Sequence, residues 1–328
     1  MTAHPGHNDV NSSQSAPNRA GSGKSARFWR RCVPGVVVVG ALAASGCASA
    51  GASDRPQVVV TTNILGDVTS ELVGDAADVT TLMKPNADPH SFEISAQEAS
   101  RLQTADLVVS NGLGLEEGVE QHLVSAADAG VTRFVAGDTI DVVPYADEAS
   151  GPDPHFWTDP ARMVDVVDGL EEALVEIDGI DRAAVERAAD DYRDELAALD
   201  AEMTDAFAAI PDERRALVTN HHVFGYLAER FDFEVVGAAI PGGTTLASPS
   251  AADLEELATA VEEHGVPAIF AESSQPDRLM QVLSSEAGVD VEVIELFTES
   301  LTEPGGDADT YLTMMRENTE RIAAGLTP

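Results

Sequence analysis

Two Asp-Pro-His tripeptides are the residues of this chain whose types and spacing point most directly to chemistry. The first is Asp88-Pro89-His90, and the second, Asp153-Pro154-His155, places its histidine 65 residues further along. A proline fixes its own φ and also holds the preceding residue in an extended conformation. Each tripeptide therefore predicts a stiff turn that presents an imidazole from a loop. On these residues alone, two unrelated loop histidines remain an alternative, because loops vary freely.

Four of the six histidines beyond residue 46 lie where a predicted strand gives way to a loop or helix: His90, His155, His221 and His222. In open α/β sheets, ligands collect at this carboxyl edge of the strands. Two of the loops belong to the first half of the chain and the His221-His222 pair to the second, which predicts a site in a cleft between two lobes. The other two, His122 and His264, fall on predicted helices, where a surface position needs no ligand role.

Cysteine usage limits what such a site can contain. The only two cysteines are Cys32 and Cys47, both near the N-terminus. Disulfides and thiolate metal sites are therefore excluded from the part of the chain that carries the histidines. Any metal there must be bound by nitrogen and oxygen.

The N-terminal residues have the parts of a secretory signal. Four basic residues between positions 24 and 31 precede a short apolar run over 33–44, and the small residues Ala44-Ser45-Gly46 precede Cys47. The run is too short to span a bilayer stably. The small residues before the cysteine resemble the lipobox of bacterial lipoproteins, although its usual leucine is Ala44 here. We expect cleavage before Cys47 and lipidation of its sulfur; an ordinary signal peptide with an incidental cysteine is the alternative.

The chain is strongly acidic. Its formal net charge is −38, and 56 of the 57 acidic residues but only 14 of the 19 basic ones lie beyond residue 46. Such a charge repels nucleic acid and attracts cations. Lys84 is the only lysine after the leader, and an acid-rich, lysine-poor surface suits high salt, where self-repulsion is screened. We therefore hypothesise a salt-loving or salt-tolerant source.

Alternating strands and helices predict a mostly parallel α/β architecture. A strand is expected over 57–65 and a helix over 67–72, with later helices over 95–104, 221–230 and 307–324. Residues 182–210 predict one long helix, because Leu196, Leu199, Met203, Phe207 and Ile210 repeat every three or four positions. At 1.5 Å per residue it would span about 40 Å, which suits a rod joining two lobes.

The predicted organisation has five parts. A lipoprotein signal peptide covers 1–46, a small polar tether 47–56, an N-terminal α/β lobe 57–180, a linking helix 181–210 and a C-terminal α/β lobe 211–328. The length beyond the leader is sufficient for two lobes of ordinary domain size.

Several motifs, taken in order, resemble one known family. It comprises the metal-binding proteins of bacterial zinc and manganese ABC importers, among them the zinc-importer binding protein, the treponemal metal-binding lipoprotein and the pneumococcal surface adhesin. The resemblance covers nearly all of residues 57–328. The motifs that carry it are Asp88-Pro-His-Ser-Phe-Glu93, Ser110-Asn-Gly-Leu-Gly-Leu-Glu116, Asp153-Pro-His-Phe-Trp157, Thr219-Asn-His-His-Val-Phe-Gly-Tyr-Leu227, Pro267-Ala-Ile-Phe-Ala-Glu-Ser-Ser274 and Leu296-Phe-Thr-Glu-Ser-Leu301.

The resemblance implies a set of four metal ligands. The first two correspond to His90 and His155, and counting back from the aromatic residues of the third motif gives His221 rather than His222. The fourth is usually an aspartate, and its place is taken here by Glu299. The extra methylene requires the carboxylate to fold back or the metal to shift, and it also permits bidentate binding. His222 is left as a residue that could support the site from outside the ligand set.

Three imidazoles and a carboxylate suit Zn²⁺, which binds such groups at about 2.0–2.2 Å. Mn²⁺ prefers more oxygen and is the alternative cofactor. The resemblance implies an extracytoplasmic, membrane-anchored monomer that captures a divalent ion and delivers it to an ABC permease, with a long helix limiting closure to small motions; manganese or iron capture is the alternative within the family. We expect no enzyme activity and no nucleic-acid partner.

Two functions of other classes remain open at this point. A zinc-dependent hydrolase would use three histidines to activate water, with Glu299 as the base, but no His-Glu-x-x-His helix is present. A surface adhesin in which the metal is structural is the second, although nothing in the sequence encodes a partner surface.

Overall fold

The structure is a computed structural model that describes residues 55–145, 151–240, 242–286 and 291–328. The predicted signal peptide 1–46, the expected lipidation site Cys47 and all but the last two residues of the tether 47–56 lie outside these ranges. No helix within the described ranges is both long enough and apolar enough to cross a membrane.

The first half of the chain forms a parallel sheet covered by helices. Its strands are β1 (Gln57–Val60), β2 (Asp78–Thr81), β3 (Leu107–Ser110) and β4 (Arg133–Val135), and its helices are α1 (Asn63–Val73), α2 (Ala96–Leu102), α3 (Glu120–Asp128) and α4 (Pro160–Leu174). The strand order is β2-β1-β3-β4, and every pair is parallel. Val58, Val59 and Val60 are all buried, as expected of a strand with helices on both faces.

The second half repeats this arrangement. Its strands are β5 (Ala216–Thr219), β6 (Glu234–Ala238), β7 (Ala268–Glu272) and β8 (Glu292–Leu296), and its helices are α6 (Gly225–Phe231), α7 (Ala251–His264), α8 (Arg278–Glu286) and α9 (Tyr311–Leu326). The strand order is β6-β5-β7-β8, again parallel throughout. The two sheets therefore share one topology, and the predicted α/β class with two mostly parallel sheets is confirmed.

One long helix, α5 (Arg182–Ala208), connects the halves. Its 27 residues span about 40 Å, and its predicted apolar stripe is buried. The helix packs on α1 and α4 of the first half, while the Phe207 ring lies 5.2 Å from Phe231 and 5.0 Å from Phe233 of the second. The described residues from 55 onward belong to one compact unit, so the lobe boundaries at 180 and 210 stay predictions.

The first predicted strand was too long. It ends at Val60, and the residues from Asn63 onward, which were assigned to the strand, form the start of α1. The physical reason is a cap: the Thr62 hydroxyl accepts the Leu65 N–H at 3.5 Å, so the helix begins before the predicted position 67. The Ser95 cap is confirmed, together with the capping box that Glu98 completes.

Two other predicted helices begin too early. The helix predicted over 221–230 begins only at Gly225, and the preceding residues form a turn. The helix predicted over 307–324 begins at Tyr311, because Thr310 caps it and accepts the Thr313 N–H. The first of these differences bears on function, since it places His221 in a turn at the sheet edge.

Candidate metal centre

Each predicted ligand follows the carboxyl end of a strand. His90 lies in the connection after β2, His155 in the connection after β4, His221 two residues after β5 and Glu299 three residues after β8. The two sheets turn these edges toward one another, so that the four side chains meet. This is the edge at which open α/β sheets collect ligands.

The two Asp-Pro-His tripeptides make the same turn. The Asp88 Oδ1 atom accepts the backbone N–H of His90 at 2.8 Å, and Asp153 Oδ1 accepts that of His155 at 2.9 Å. An aspartate that accepts the N–H two residues ahead mimics a backbone turn. The proline between them fixes the chain in this geometry, which explains why this tripeptide presents an imidazole at each position.

The four ligand groups are buried and close together. Glu299 Oε1 lies 3.0 Å from Nε2 of His90 and 3.1 Å from Nε2 of both His155 and His221. His90 and His155 bring their Nε2 atoms within 3.3 Å of each other, and the four ligand atoms all lie within 4.8 Å of one another. Donors placed tetrahedrally at about 2.0–2.2 Å from a zinc ion would be separated by roughly 3.3–3.5 Å. The cluster is therefore near the spacing that such an ion requires.

Carboxylates behind two of the histidines set their orientation. Asp153 Oδ1 lies 2.7 Å from Nδ1 of His155, and Glu272 Oε2 lies 3.2 Å from Nδ1 of His221. When the His155 imidazole is neutral, Asp153 keeps its proton on Nδ1 and leaves the Nε2 lone pair facing the cluster. Glu272 Oε2 lies close to His221 Nδ1, but the two atoms do not have hydrogen-bond geometry. Gly225 permits part of this arrangement, since a Cβ at that position would overlap Asp153 Oδ2.

The same contacts shift the pKa values of the cluster. Burial by itself lowers the pKa of His221, but the Glu299 charge and the Glu272 contact raise it well above its usual value. Burial also lowers the pKa of His155, and Asp153 and Glu299 reverse this and raise it. Burial raises the pKa of Glu299, yet His221 and the hydrogen bonds from the imidazoles hold it well below its usual range. Protons on His155 and His221 thus balance the buried carboxylate, and a bound cation would replace them.

One oxygen of the fourth ligand has no partner. Glu299 Oε2 is buried and accepts no hydrogen bond from any described residue. An unsatisfied buried carboxylate oxygen is costly. Because Glu299 Oε1 already contacts all three imidazoles, Oε2 is the atom that a bidentate interaction with a cation would use.

Residues of the first half fix the loop that carries Glu299. The Trp157 indole N–H donates to the Thr298 carbonyl at 2.8 Å. The Asn63 side chain donates to Ser300 Oγ at 2.8 Å and accepts the Leu301 N–H at 3.0 Å. The residues on both sides of Glu299 are therefore held by groups from the first half of the chain.

A buried glutamate supports the second histidine loop. Glu116 Oε1 accepts the Thr61 hydroxyl at 2.7 Å and the Asn111 N–H at 2.6 Å, and burial raises the Glu116 pKa despite these bonds. The Asn111 side chain then donates to the Pro154 carbonyl at 3.0 Å. The motif over 110–116 thus acts by supporting the turn that carries His155.

The remaining histidines lie outside the cluster. His222 is half-buried, its ring lies 6.4 Å from that of Tyr145, and burial together with the His221 charge lowers its pKa. His122 is on α3, and His264 is exposed at the end of α7. Among the described residues, the structure brings together the four predicted ligands and leaves these three histidines out of the group.

Some residues of the site were not predicted. Glu272 was quoted as part of a motif but given no role, and its position at the end of β7 was the available signal. Tyr145 was also given no role, yet its hydroxyl is 3.5 Å from Nδ1 of His155. No local pattern could have indicated that contact.

A buried cluster of three imidazoles and one carboxylate, built from two parallel sheets, defines a protein that binds a cation between its two halves. The sequence profile described as "Zinc-uptake complex component A periplasmic" matches residues 58–325. The chain therefore belongs to this family of periplasmic components of metal uptake.

Individual relatives match this chain over most of its length. A manganese-binding lipoprotein of Halalkalibacterium halodurans is 29% identical over 300 residues, which cover 90% of this chain and 98% of the relative. A manganese ABC transporter substrate-binding lipoprotein of Streptococcus pneumoniae is 29% identical over 299 residues, which cover 88% of this chain and 95% of the relative. The structure of a periplasmic zinc-binding protein from Treponema pallidum superimposes with a TM-score of 0.77 at 29% identity, covering 84% of this chain and all of the other.

Proposed function

We propose that the protein is the substrate-binding component of a metal ABC importer, which captures one divalent transition metal ion and delivers it to the membrane permease. The observation that carries this proposal is the convergence of His90 and His155 from the first half with His221 and Glu299 from the second. A ligand set divided in this way binds the ion only while the two halves are held together, so parting them is a route to release.

Zinc is the ion that this ligand set fits best. Three of the four groups are imidazoles, and zinc sites commonly combine histidine with carboxylate in tetrahedral geometry. The 3.0–3.1 Å separations of Glu299 Oε1 from the three Nε2 atoms and the 3.3 Å separation between the Nε2 atoms of His90 and His155 support a compact four-coordinate shell.

Manganese is the second candidate, and a specific atom favours it. Glu299 Oε2 is buried and has no hydrogen-bond partner among the described residues, so the carboxylate can provide two oxygens and enlarge the shell beyond four. Mn²⁺ prefers oxygen and accepts higher coordination numbers than structural zinc does. The manganese-binding relatives described above also support this candidate.

The protein acts outside the cytoplasm at the membrane surface. The lipoprotein relatives support this location, and we propose Cys47, which lies outside the described residues, as the lipidated residue. We further propose that the protein is a monomer and has no enzyme activity. The position of Glu299 supports the absence of enzyme activity. Its carboxylate contacts all three histidines and so occupies the place of a fourth metal ligand, which leaves it unable to act as a general base toward a bound water.

Metal content and competition test the proposal. The tag-free chain 48–328 is purified with His221→Ala and, as a matched control, with His264→Ala at the exposed end of α7. We expect one equivalent of zinc in the wild type and in His264→Ala, and its loss in His221→Ala. Zinc that manganese cannot displace supports a zinc carrier, while stable manganese loading at modest excess transfers the assignment to manganese. The absence of stoichiometric metal in the wild type refutes the proposal.

A further inference from the structure

The carboxylate of Asp88 joins the two halves of the molecule beside the metal centre. It accepts two hydrogen bonds from its own loop, namely the His90 N–H at 2.8 Å and the Ser91 hydroxyl at 3.0 Å. It accepts two more from the second half, the Thr245 hydroxyl at 2.6 Å and the Gln275 side-chain amide at 2.9 Å. Only 8% of Asp88 is exposed, so this four-donor arrangement is largely shielded from water.

We propose that Thr245 and Gln275 are positioning residues that act through Asp88 to hold His90 against the opposite half, and that they set the rate at which the bound metal leaves. This inference rests on the proposed function. Neither residue is one of the four ligands. Thr245 and Gln275 hold the two halves close together and do not themselves bind the ion.

A second contact ties the same segment of the second half to the other histidine loop. The Tyr145 hydroxyl donates to the Gly243 carbonyl at 3.0 Å and lies 3.5 Å from Nδ1 of His155. A Cβ at Gly243 would overlap the Tyr145 ring, so glycine is what allows this close approach. The segment over 243–245 therefore touches both loops that present the first two ligands.

The nature of the Asp88 contacts argues for control of release. Hydrogen bonds to an ionised carboxylate are roughly twice as strong as neutral ones. If Thr245 and Gln275 no longer donate, Asp88 still accepts from His90 and Ser91, so the local turn persists. What is lost is the connection that Asp88 makes across the cleft, while those made by Asn63, Trp157 and Tyr145 remain. Departure of an ion held by both halves requires them to separate, and these bonds must break first.

The threonines of this segment provide a matched set of variants. Thr245→Val removes the hydroxyl at nearly constant volume, and Thr245→Ser restores it. The hydroxyl of the adjacent Thr244 accepts the Leu246 N–H within its own loop, so Thr244→Val controls for the substitution itself. Gln275→Met removes the second donor independently and keeps the test available if Thr245→Val fails to fold.

The experiment measures zinc release from the loaded mature chain after mixing with excess chelator. We expect release at least about tenfold faster in Thr245→Val and in Gln275→Met, because each loses a charge-assisted hydrogen bond. Thr245→Ser and Thr244→Val should stay within about twofold of the wild type. The free energy of unfolding of the metal-free variants is measured in parallel. If Thr245 and Gln275 had a purely structural role, their substitution would lower this free energy without accelerating zinc release in the pattern described.

Each outcome decides the matter. Fast release in the two donor-deleting variants with rescue by Thr245→Ser supports the inference. Zinc-loaded Thr245→Val and Gln275→Met that release metal as slowly as Thr244→Val refute this inference alone. A wild type that holds neither zinc nor manganese in stoichiometric amount refutes the proposed function, and this inference with it.

Discussion

The carboxyl group of Asp67 offers a prediction about stability that is independent of metal. Asp67 lies on α1 of the first half, and its Oδ2 atom accepts the N–H of Tyr311 at the start of α9 at 2.8 Å. Burial raises its pKa from 3.8 to about 6, against the opposing effect of this hydrogen bond and with smaller additions from Glu71 and Asp309. The group is therefore ionised at neutral pH in a place that disfavours its charge.

The sign and size of the effect follow from this pKa. Between about pH 4 and 6 the folded chain keeps a proton on Asp67 that the unfolded chain has released, so the free energy of unfolding falls as pH rises through that window. The shift of about two pKa units corresponds to at most about 3 kcal/mol in the free energy of unfolding, and this contribution is fully lost above pH 6. Asp67→Asn keeps an oxygen for the Tyr311 N–H and removes the charge. It should stabilise the protein by about 1–3 kcal/mol at pH 8 and change little at pH 4.

Urea unfolding of the chelator-treated chain 48–328 at several pH values between about 4 and 8 measures this difference. Asp128→Asn, an exposed substitution at the end of α3, is the matched control and should show no pH-dependent gain. An Asp67→Asn variant that is no more stable than the wild type at pH 8, or that gains equally at pH 4, refutes the reasoning.

Three other predictions concern the metal centre and the charge. Asp153→Asn should weaken zinc binding about 10–100-fold in a chelator competition, because the charge opposite His155 Nδ1 is lost; Asp178→Asn, in an exposed loop, should not. Zinc affinity should fall from about pH 8 to pH 6, because the raised pKa values of His155 and His221 let protons compete with the ion; a flat profile contradicts this. The free energy of unfolding of the metal-free chain should rise toward about 1 M KCl as acidic repulsion is screened, and equal stability at low and high salt would remove the salt-tolerance hypothesis.

The sequence predicted His90 and His155 from a local turn chemistry, whereas His221 and Glu299 followed from the family resemblance. The proline and aspartate around His90 and His155 set their turns without help from distant residues. The parallel sheets followed from alternating apolar runs and helices. The starts of helices were less predictable. The helix predicted over 221–230 begins only at Gly225, and the pattern of the preceding residues is compatible with either a helix or a turn.

Contacts between the halves could not be predicted. Tyr145 reaches the carbonyl of Gly243, and Asp88 reaches Thr245 and Gln275, across 98 to 187 residues of chain. No periodicity or local spacing relates such positions, because their proximity depends on how the two sheets face one another. The lobe boundaries stay predictions for the same reason.

The order of the ligands along the chain has a consequence for export. His90 and His155 precede α5, His221 follows it, and Glu299 comes after the last strand. A chain that crosses a membrane N-terminus first therefore delivers its imidazoles early and its only carboxylate ligand nearly last. Until the residues after β8 have emerged, such a polypeptide offers the three imidazole ligands without the carboxylate ligand Glu299. Only the fully translocated protein holds the complete ligand set, so selection among ions is made by the folded molecule in the compartment where it resides.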